Sequence, residues 1–155
     1  MDDNAEVLWR WINEHYTQAR HHETQRATLS NCILFVEGGV LAFVSNTQRN
    51  HGQVSWTLPC FLMALGIFGI FSVLKLYERF RFHNHIADAV RGALESRLAM
   101  QPSLSELRGE GTKKHKTTWY YRLIGWAHLY VFWIALHTLV VILGAILLKK
   151  TIGFG

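Results

Sequence analysis

Two ionisable side chains lie inside long apolar runs of this sequence, where such groups are rare. Glu37 is the one charged residue between positions 27 and 48, and His137 stands near the middle of residues 123–148. A carboxyl group at bilayer depth is costly and usually faces a partner, a cavity or a water path. We therefore interpret Glu37 and His137 as polar groups that line a pore or form a pair, within one chain or between chains. The alternative is a protonated Glu37 that joins helices through a hydrogen bond.

The nine histidines could suggest a metal or haem protein, but their spacing argues against one. Two imidazoles share a helix face when they stand four residues apart. His21 and His22 are adjacent, and His83 and His85 are two apart. A haem held by two histidines would require a second subunit, because His128 and His137 lie on the same span. We predict neither a metal site nor a cofactor.

Arg79 and His85 have the loose spacing of the Arg and His pair of HEPN ribonucleases. In such an enzyme the arginine stabilises the scissile phosphate and the histidine moves protons. The pattern is short, and here a single helix would supply both residues. Phosphate-binding, nucleophile-elbow, zinc-protease and dinucleotide motifs do not occur in the sequence. We therefore predict a protein that is not an enzyme, with an Arg79 and His85 ribonuclease as the alternative.

Three apolar runs dominate the chain of 155 residues. A bilayer core needs about 20 apolar residues per helix. We predict spans at residues 27–48, 54–74 and 123–148, preceded by an amphipathic helix at 1–26 and followed by a short tail at 149–155. The fold class is all-α: a polytopic membrane protein with three transmembrane helices and a long cytoplasmic helix between spans two and three.

Charge is concentrated between spans two and three. Residues 75–122 carry ten basic and five acidic groups, whereas residues 1–26 carry three basic and five acidic groups. Short basic loops remain cytoplasmic. We predict a multi-pass protein of the bacterial inner membrane with a cytoplasmic N-terminus. The basic residues expected to contact lipid or a partner are Arg79, Arg81, Lys113, Lys114 and Lys116.

The polar segments are predicted to be partly helical. The apolar side of residues 1–26 includes Leu8, Trp11, Ile12 and Tyr16, so this helix either lies at the membrane interface or packs on the rest of the protein. Residues 75–100 contain no proline and continue the helix of span two. Residues 101–116 hold Pro102, two serines and two glycines, and we predict a loop there.

Small residues in the spans predict close helix packing. Gly38 and Ala42 form a small-xxx-small pair beside Glu37. The positions expected to pack helices together are Gly38, Gly39, Ala42, Gly66 and Gly69. A chain this short has few helix contacts of its own, so we expect a homo-oligomer.

The order of these parts resembles the small bacterial SLATT-type, or two-transmembrane, effectors of nucleotide-signalling antiphage systems. The resemblance covers residues 1–100: a polar helical N-terminus with Arg20 and Arg26, two close spans, and a long helix that starts with the aromatic and basic run 77–82. It implies an oligomeric pore or membrane-disrupting protein that halts growth when a partner senses infection. The alternative is a membrane-anchored accessory subunit whose basic segment docks a cytoplasmic protein or nucleic acid.

Overall fold

The computed structural model describes residues 3–49, 54–99, 101–124 and 128–153, which form helices and short connections without any strand. The helices are α1 (Asp3–Arg49), α2 (Thr57–Leu98), α3 (Leu104–Lys116), α4 (Trp119–Ile124) and α5 (Leu129–Gly153). Three of them, α1, α2 and α5, are long and apolar enough to cross a membrane. The prediction of an all-helical chain with three such helices is confirmed for this part of the sequence.

Two of the helices are longer than a single span requires. Helix α1 has 47 residues and joins the polar N-terminal segment to the first apolar run, while α2 has 42 residues and continues from the second apolar run to Leu98. No glycine or proline interrupts residues 3–36, and the only proline of α2, Pro59, lies in its first turn, where proline is tolerated. Residues 50–53, and residues 125–127 of the predicted third span, lie outside the described residues.

The loop predicted for residues 101–116 is wrong over most of its length, because residues 104–116 form helix α3. Ser103 is its N-cap: the Ser103 hydroxyl accepts a hydrogen bond from the Glu106 amide, and the Ser103 amide donates to the Glu106 carboxylate. This capping box gives hydrogen-bond acceptors to two backbone N–H groups at the start of the helix. Basic residues in the last turn add favourable interactions with the helix dipole. These end effects outweigh the glycines at 109 and 111.

The described chain divides into two units, and the first comprises Met1–Glu23 and Glu78–His128. Ala5, Ile12 and Leu94 form a buried apolar cluster in this unit, with Leu8, Tyr16 and Val90 packed against it. Beside this core, the Tyr16 hydroxyl donates to Asp88 at 3.2 Å and accepts from Arg91 at 3.1 Å. Arg108 of α3 also reaches Asp88, at 2.9 Å. Leu8, Ile12 and Tyr16 of the apolar side of the N-terminal helix thus pack within this unit, whereas Trp11 of the same set is 56% exposed.

The second unit comprises Thr24–Tyr77 and Leu129–Gly155. Helices α1, α2 and α5 each contribute a row of buried residues to this unit. The buried positions on α1 are Arg26, Ser30, Ile33, Glu37 and Val44; those on α2 include Pro59, Leu62, Gly66, Gly69 and Val73; those on α5 are His137, Val140 and Gly144. Spacings of three, four and seven place each set on one helix face. The opposite faces carry exposed large apolar residues such as Phe35, Phe71 and Ile146.

Candidate functional site: a buried acid and imidazole

Glu37 of α1 and His137 of α5 lie next to each other inside the second unit. The Glu37 Oε1 atom is 3.6 Å from the His137 Nδ1 atom, and the two residues are 1% and 0% exposed. The sequence is compatible with a pair of Glu37 and His137 within one chain or between two chains. The structure places the two residues side by side within one chain. A separation of 3.6 Å is too long for a direct hydrogen bond.

Within the part of the chain that the structure describes, the polar atoms of this pair and of a neighbouring tryptophan lack hydrogen-bond partners. Both carboxyl oxygens of Glu37, both ring nitrogens of His137 and the indole Nε1 of Trp133 are buried without one. Trp133 precedes His137 by four residues, so the two side chains share a face of α5. An unpaired buried polar group costs about 1–3 kcal/mol. This region is therefore the candidate site of the second unit, because it buries five such polar atoms between apolar helices.

Close packing against α2 fixes the position of His137. A Cβ atom added to Gly69 would lie 2.5 Å from the His137 Nδ1 atom, and one added to Gly66 would lie 2.9 Å from the His137 carbonyl oxygen. On the other side of this contact, a Cβ atom on Gly144 would lie 3.1 Å from the Pro59 carbonyl oxygen. Glycines on both helices therefore permit the close approach of α2 and α5.

The other small residues singled out from the sequence have a different environment. Among the residues that the structure describes, no atom lies within 4 Å of a Cβ atom added to Gly38 or Gly39, and Ala42 is exposed. The chain thus uses Gly66 and Gly69 for its own packing and leaves the surface of Gly38, Gly39 and Ala42, here called the open α1 face, uncovered. Its neighbours Phe35 and Phe43 are also exposed.

The basic residues predicted to contact lipid or a partner are exposed: Arg79, Arg81, Lys113, Lys114 and Lys116. His85 lies 3.3 Å from the Arg81 guanidinium, measured at its Nε2 atom. Arg79 instead contributes its charge to the surroundings of His83. Among the described residues, no group of three or more His, Cys, Asp or Glu side chains is arranged to hold a metal ion.

The first unit contains a cluster of imidazoles that the spacing of histidines along one helix does not predict. His15 and His22 of α1 both meet His83 of α2, with the Nδ1 atoms of His15 and His83 2.9 Å apart. The partners are about 60 to 70 positions apart, so spacing along one helix could not bring them together. The spacing of 7 between His15 and His22 does place them on one face and is a signal that could have been used.

Comparison of the chain with protein-family models, curated proteins and solved structures finds no match. Function must therefore be inferred from the residues and their geometry.

Proposed function

We propose that this protein is a non-enzymatic, multi-pass membrane effector that self-associates through helix α1 and permeabilises the bilayer. The observation that carries the proposal is the contrast between its glycines. Gly66 and Gly69 are covered by the chain's own helix α5, whereas Gly38 and Gly39 have no neighbour for a Cβ atom within 4 Å. Small residues in a membrane helix favour close approach of a second helix.

The apolar surface around these glycines supports the same proposal. Phe35 is 84% exposed and Phe43 is 59% exposed on the apolar half of α1. Exposed apolar patches of this kind require lipid or protein to cover them. A second copy of α1 laid across the open α1 face would let its large side chains fill the space beside Gly38 and Ala42. Lipid then covers the remaining aromatic surface.

The experiment is dye release from vesicles combined with counting of subunits by photobleaching. Gly38→Leu places bulk on the open α1 face, and we expect it to reduce both self-association and release at least several-fold. Ala135→Leu is the matched control, because it adds similar bulk to an exposed position of α5. A wild-type protein that remains monomeric, or Gly38→Leu protein that still assembles and releases dye, would contradict the proposal.

The role of Glu37 in permeation is tested separately. Ionised acid rings make pores cation-selective. If rearrangement of the helices brings Glu37 to the permeation path, Glu37→Gln changes the cation preference of conductance while self-association is retained. Unchanged conductance would mean that Glu37 has a role in helix packing only. It would not contradict self-association through the open α1 face.

A second candidate function, an accessory subunit that docks a soluble partner, is favoured by helix α3. This helix contains no buried residue, and its last turn carries Lys113, Lys114, His115 and Lys116. Such a basic helix offers charge to an acidic protein surface, lipid or nucleic acid. Reversal of the three lysines to glutamate should abolish capture of a defined cytosolic partner in a pull-down. Retained capture would remove this candidate.

The biological setting we propose is antiphage defence in the bacterial inner membrane, with the N-terminus in the cytoplasm. The support is the resemblance of residues 1–100 to SLATT-type effectors and the basic segment between the second and third apolar runs. Neighbouring genes for a nucleotidyltransferase, together with growth arrest on phage infection that Gly38→Leu abolishes, are the expected findings. Arrest that persists in Gly38→Leu would separate growth control from self-association.

A further inference from the structure

Three imidazoles from two helices meet in the first unit, and we call them the imidazole cluster: His15, His22 and His83. The ring of His22 stacks on that of His83, with centroids 5.3 Å apart and an interplanar angle of 25°. The rings of His15 and His83 have centroids 5.2 Å apart, and their Nδ1 atoms are 2.9 Å apart. The cluster therefore joins the N-terminal part of α1 to the C-terminal half of α2.

The distance between the two Nδ1 atoms restricts the protonation state. Two ring nitrogens 2.9 Å apart form a hydrogen bond when one carries a hydrogen and the other offers a lone pair. When His15 and His83 are both imidazolium ions, each Nδ1 carries a hydrogen, so two donors and two positive charges face each other. The contact is then repulsive. One of the two rings must stay neutral for the contact to exist.

The surroundings of His83 add to this restriction. Its pKa is lowered from the ordinary value of 6.5, first by partial burial and then by the positive charges that His15, His22 and Arg79 can carry. Glu14 acts in the opposite direction. His22 presents a ring face to His83, so the two rings are stacked on this side of the cluster. The neutral form of His83 is thus the form that fits the folded unit.

We infer that the imidazole cluster is a proton-binding site whose full protonation separates the N-terminal part of α1 from α2 in the first unit. The ligand is the proton, and the contact breaks when His15 and His83 are charged together. When at least one of the two rings is neutral, a hydrogen can lie between the two Nδ1 atoms, and the segments stay packed through Ile12 and Leu94. The inference concerns the first unit alone and does not depend on self-association through the open α1 face.

Hydrogen exchange of the full-length protein in lipid nanodiscs tests this inference. Protection factors, corrected for the intrinsic effect of pH, are compared at about pH 7.5 and about pH 5.5, on either side of the ordinary histidine pKa. We expect peptides from residues 3–23 to lose protection several-fold at the acidic pH. Peptides from residues 129–153, which belong to the second unit, serve as the internal reference.

Three variants assign the response to the cluster. His83→Phe and His15→Phe each keep an aromatic ring and remove one titratable imidazole. We therefore expect protection to become independent of pH in both variants. Two such variants are used so that one can be read if the other fails to fold. His85→Phe is the matched control, since His85 is exposed and contacts Arg81. It should retain the wild-type response.

Three results would overturn the inference. The first is wild-type protection that does not change with pH. The second is an acid response that persists in both His83→Phe and His15→Phe, because another group must then be responsible. The third is loss of the response in His85→Phe, which would move the sensor to the exposed side of α2.

Discussion

Gly69 and His137 are in direct contact across α2 and α5, and the imidazole occupies the space where any other residue would carry its Cβ atom. That added atom would lie 2.5 Å from the His137 Nδ1 atom and 2.6 Å from its Cγ atom. Because His137 is also the neighbour of Glu37, one glycine sets the position of the buried acid and imidazole pair.

Gly69→Ala should therefore destabilise the second unit. His137 is 0% exposed, and the added methyl group would lie within 2.7 Å of three atoms of its ring, so it overpacks the site. We expect a loss of about 1–3 kcal/mol in the free energy of unfolding, the usual cost of overpacking. Unfolding by a denaturing detergent in mixed micelles, followed by circular dichroism, measures it.

Gly39→Ala is the control for this prediction. An added Cβ atom there meets nothing within 4 Å, and alanine is favoured over glycine inside a helix by about 0.5–1 kcal/mol. We expect unchanged or slightly raised stability of the monomer. Equal destabilisation by both substitutions would mean that the contact between Gly69 and His137 does not determine the effect.

The helices can largely be predicted from local sequence patterns, whereas the candidate site can be predicted only in part. The apolar runs and the lack of internal prolines predict α1 and α2 as long helices, because both signals are local. Glu37 and His137 stand out for the same reason: each is ionisable in apolar sequence. Their proximity depends on how α1 and α5 pack, which no local pattern encodes.

Two features show where local reasoning failed. Pro102 and the glycines at 109 and 111 favour a loop at residues 101–116, but the capping box of Ser103 and Glu106 starts helix α3 there. Spacing of histidines within one helix predicts only contacts on that helix, so it does not predict the imidazole cluster, whose members come from two helices. Contacts between residues about 70 positions apart arise from the packing of Ile12 against Leu94 nearby and cannot be obtained from spacing alone.

Stability of the first unit should depend on pH through His83. Its pKa in the folded state lies below the ordinary value of 6.5, with partial burial as the main cause. Between those two values the unfolded chain binds more protons than the folded one, so the free energy of unfolding rises with pH. The contribution is fully present above about pH 6.5 and is lost as the pH falls towards the folded-state pKa.

Thermal unfolding of the full chain, monitored over about pH 5 to 8, measures this dependence. We expect the midpoint to fall on acidification in the wild type and to fall less in His83→Phe. A midpoint that rises as the pH falls below the ordinary histidine pKa would show that the folded unit prefers the charged ring, contrary to the expected sign.

Ser103→Ala should weaken the start of helix α3. The substitution removes the hydroxyl that accepts from the Glu106 amide at 3.1 Å. Loss of an N-cap serine costs about 1 kcal/mol. Because α3 buries no residue, this cost should appear as faster hydrogen exchange confined to residues 104–110. Ser96→Ala, at an exposed position of α2, should leave exchange in α3 unchanged.

Glu37 and His137 should be coupled in the free energy of unfolding. Glu37→Leu leaves the buried imidazole beside an apolar side chain, and His137→Leu does the same to the carboxyl group. Each single change removes the polar neighbour that lies 3.6 Å from the group left buried, and we expect a cost of about 1–3 kcal/mol. Replacing both partners with apolar groups removes that penalty, so the double variant should cost less than the sum of the two.

A double-mutant cycle in mixed micelles measures this coupling, with Glu37→Gln as the variant that keeps the shape of the acid. Glu37→Gln should unfold within about 1 kcal/mol of the wild type, because its amide keeps the shape and the polarity of the carboxyl group next to His137. The cycle distinguishes packing from permeation. A coupling near zero would mean that the 3.6 Å approach of the two side chains contributes nothing to stability, and the expense of burying them would then require another explanation, such as a role in conductance.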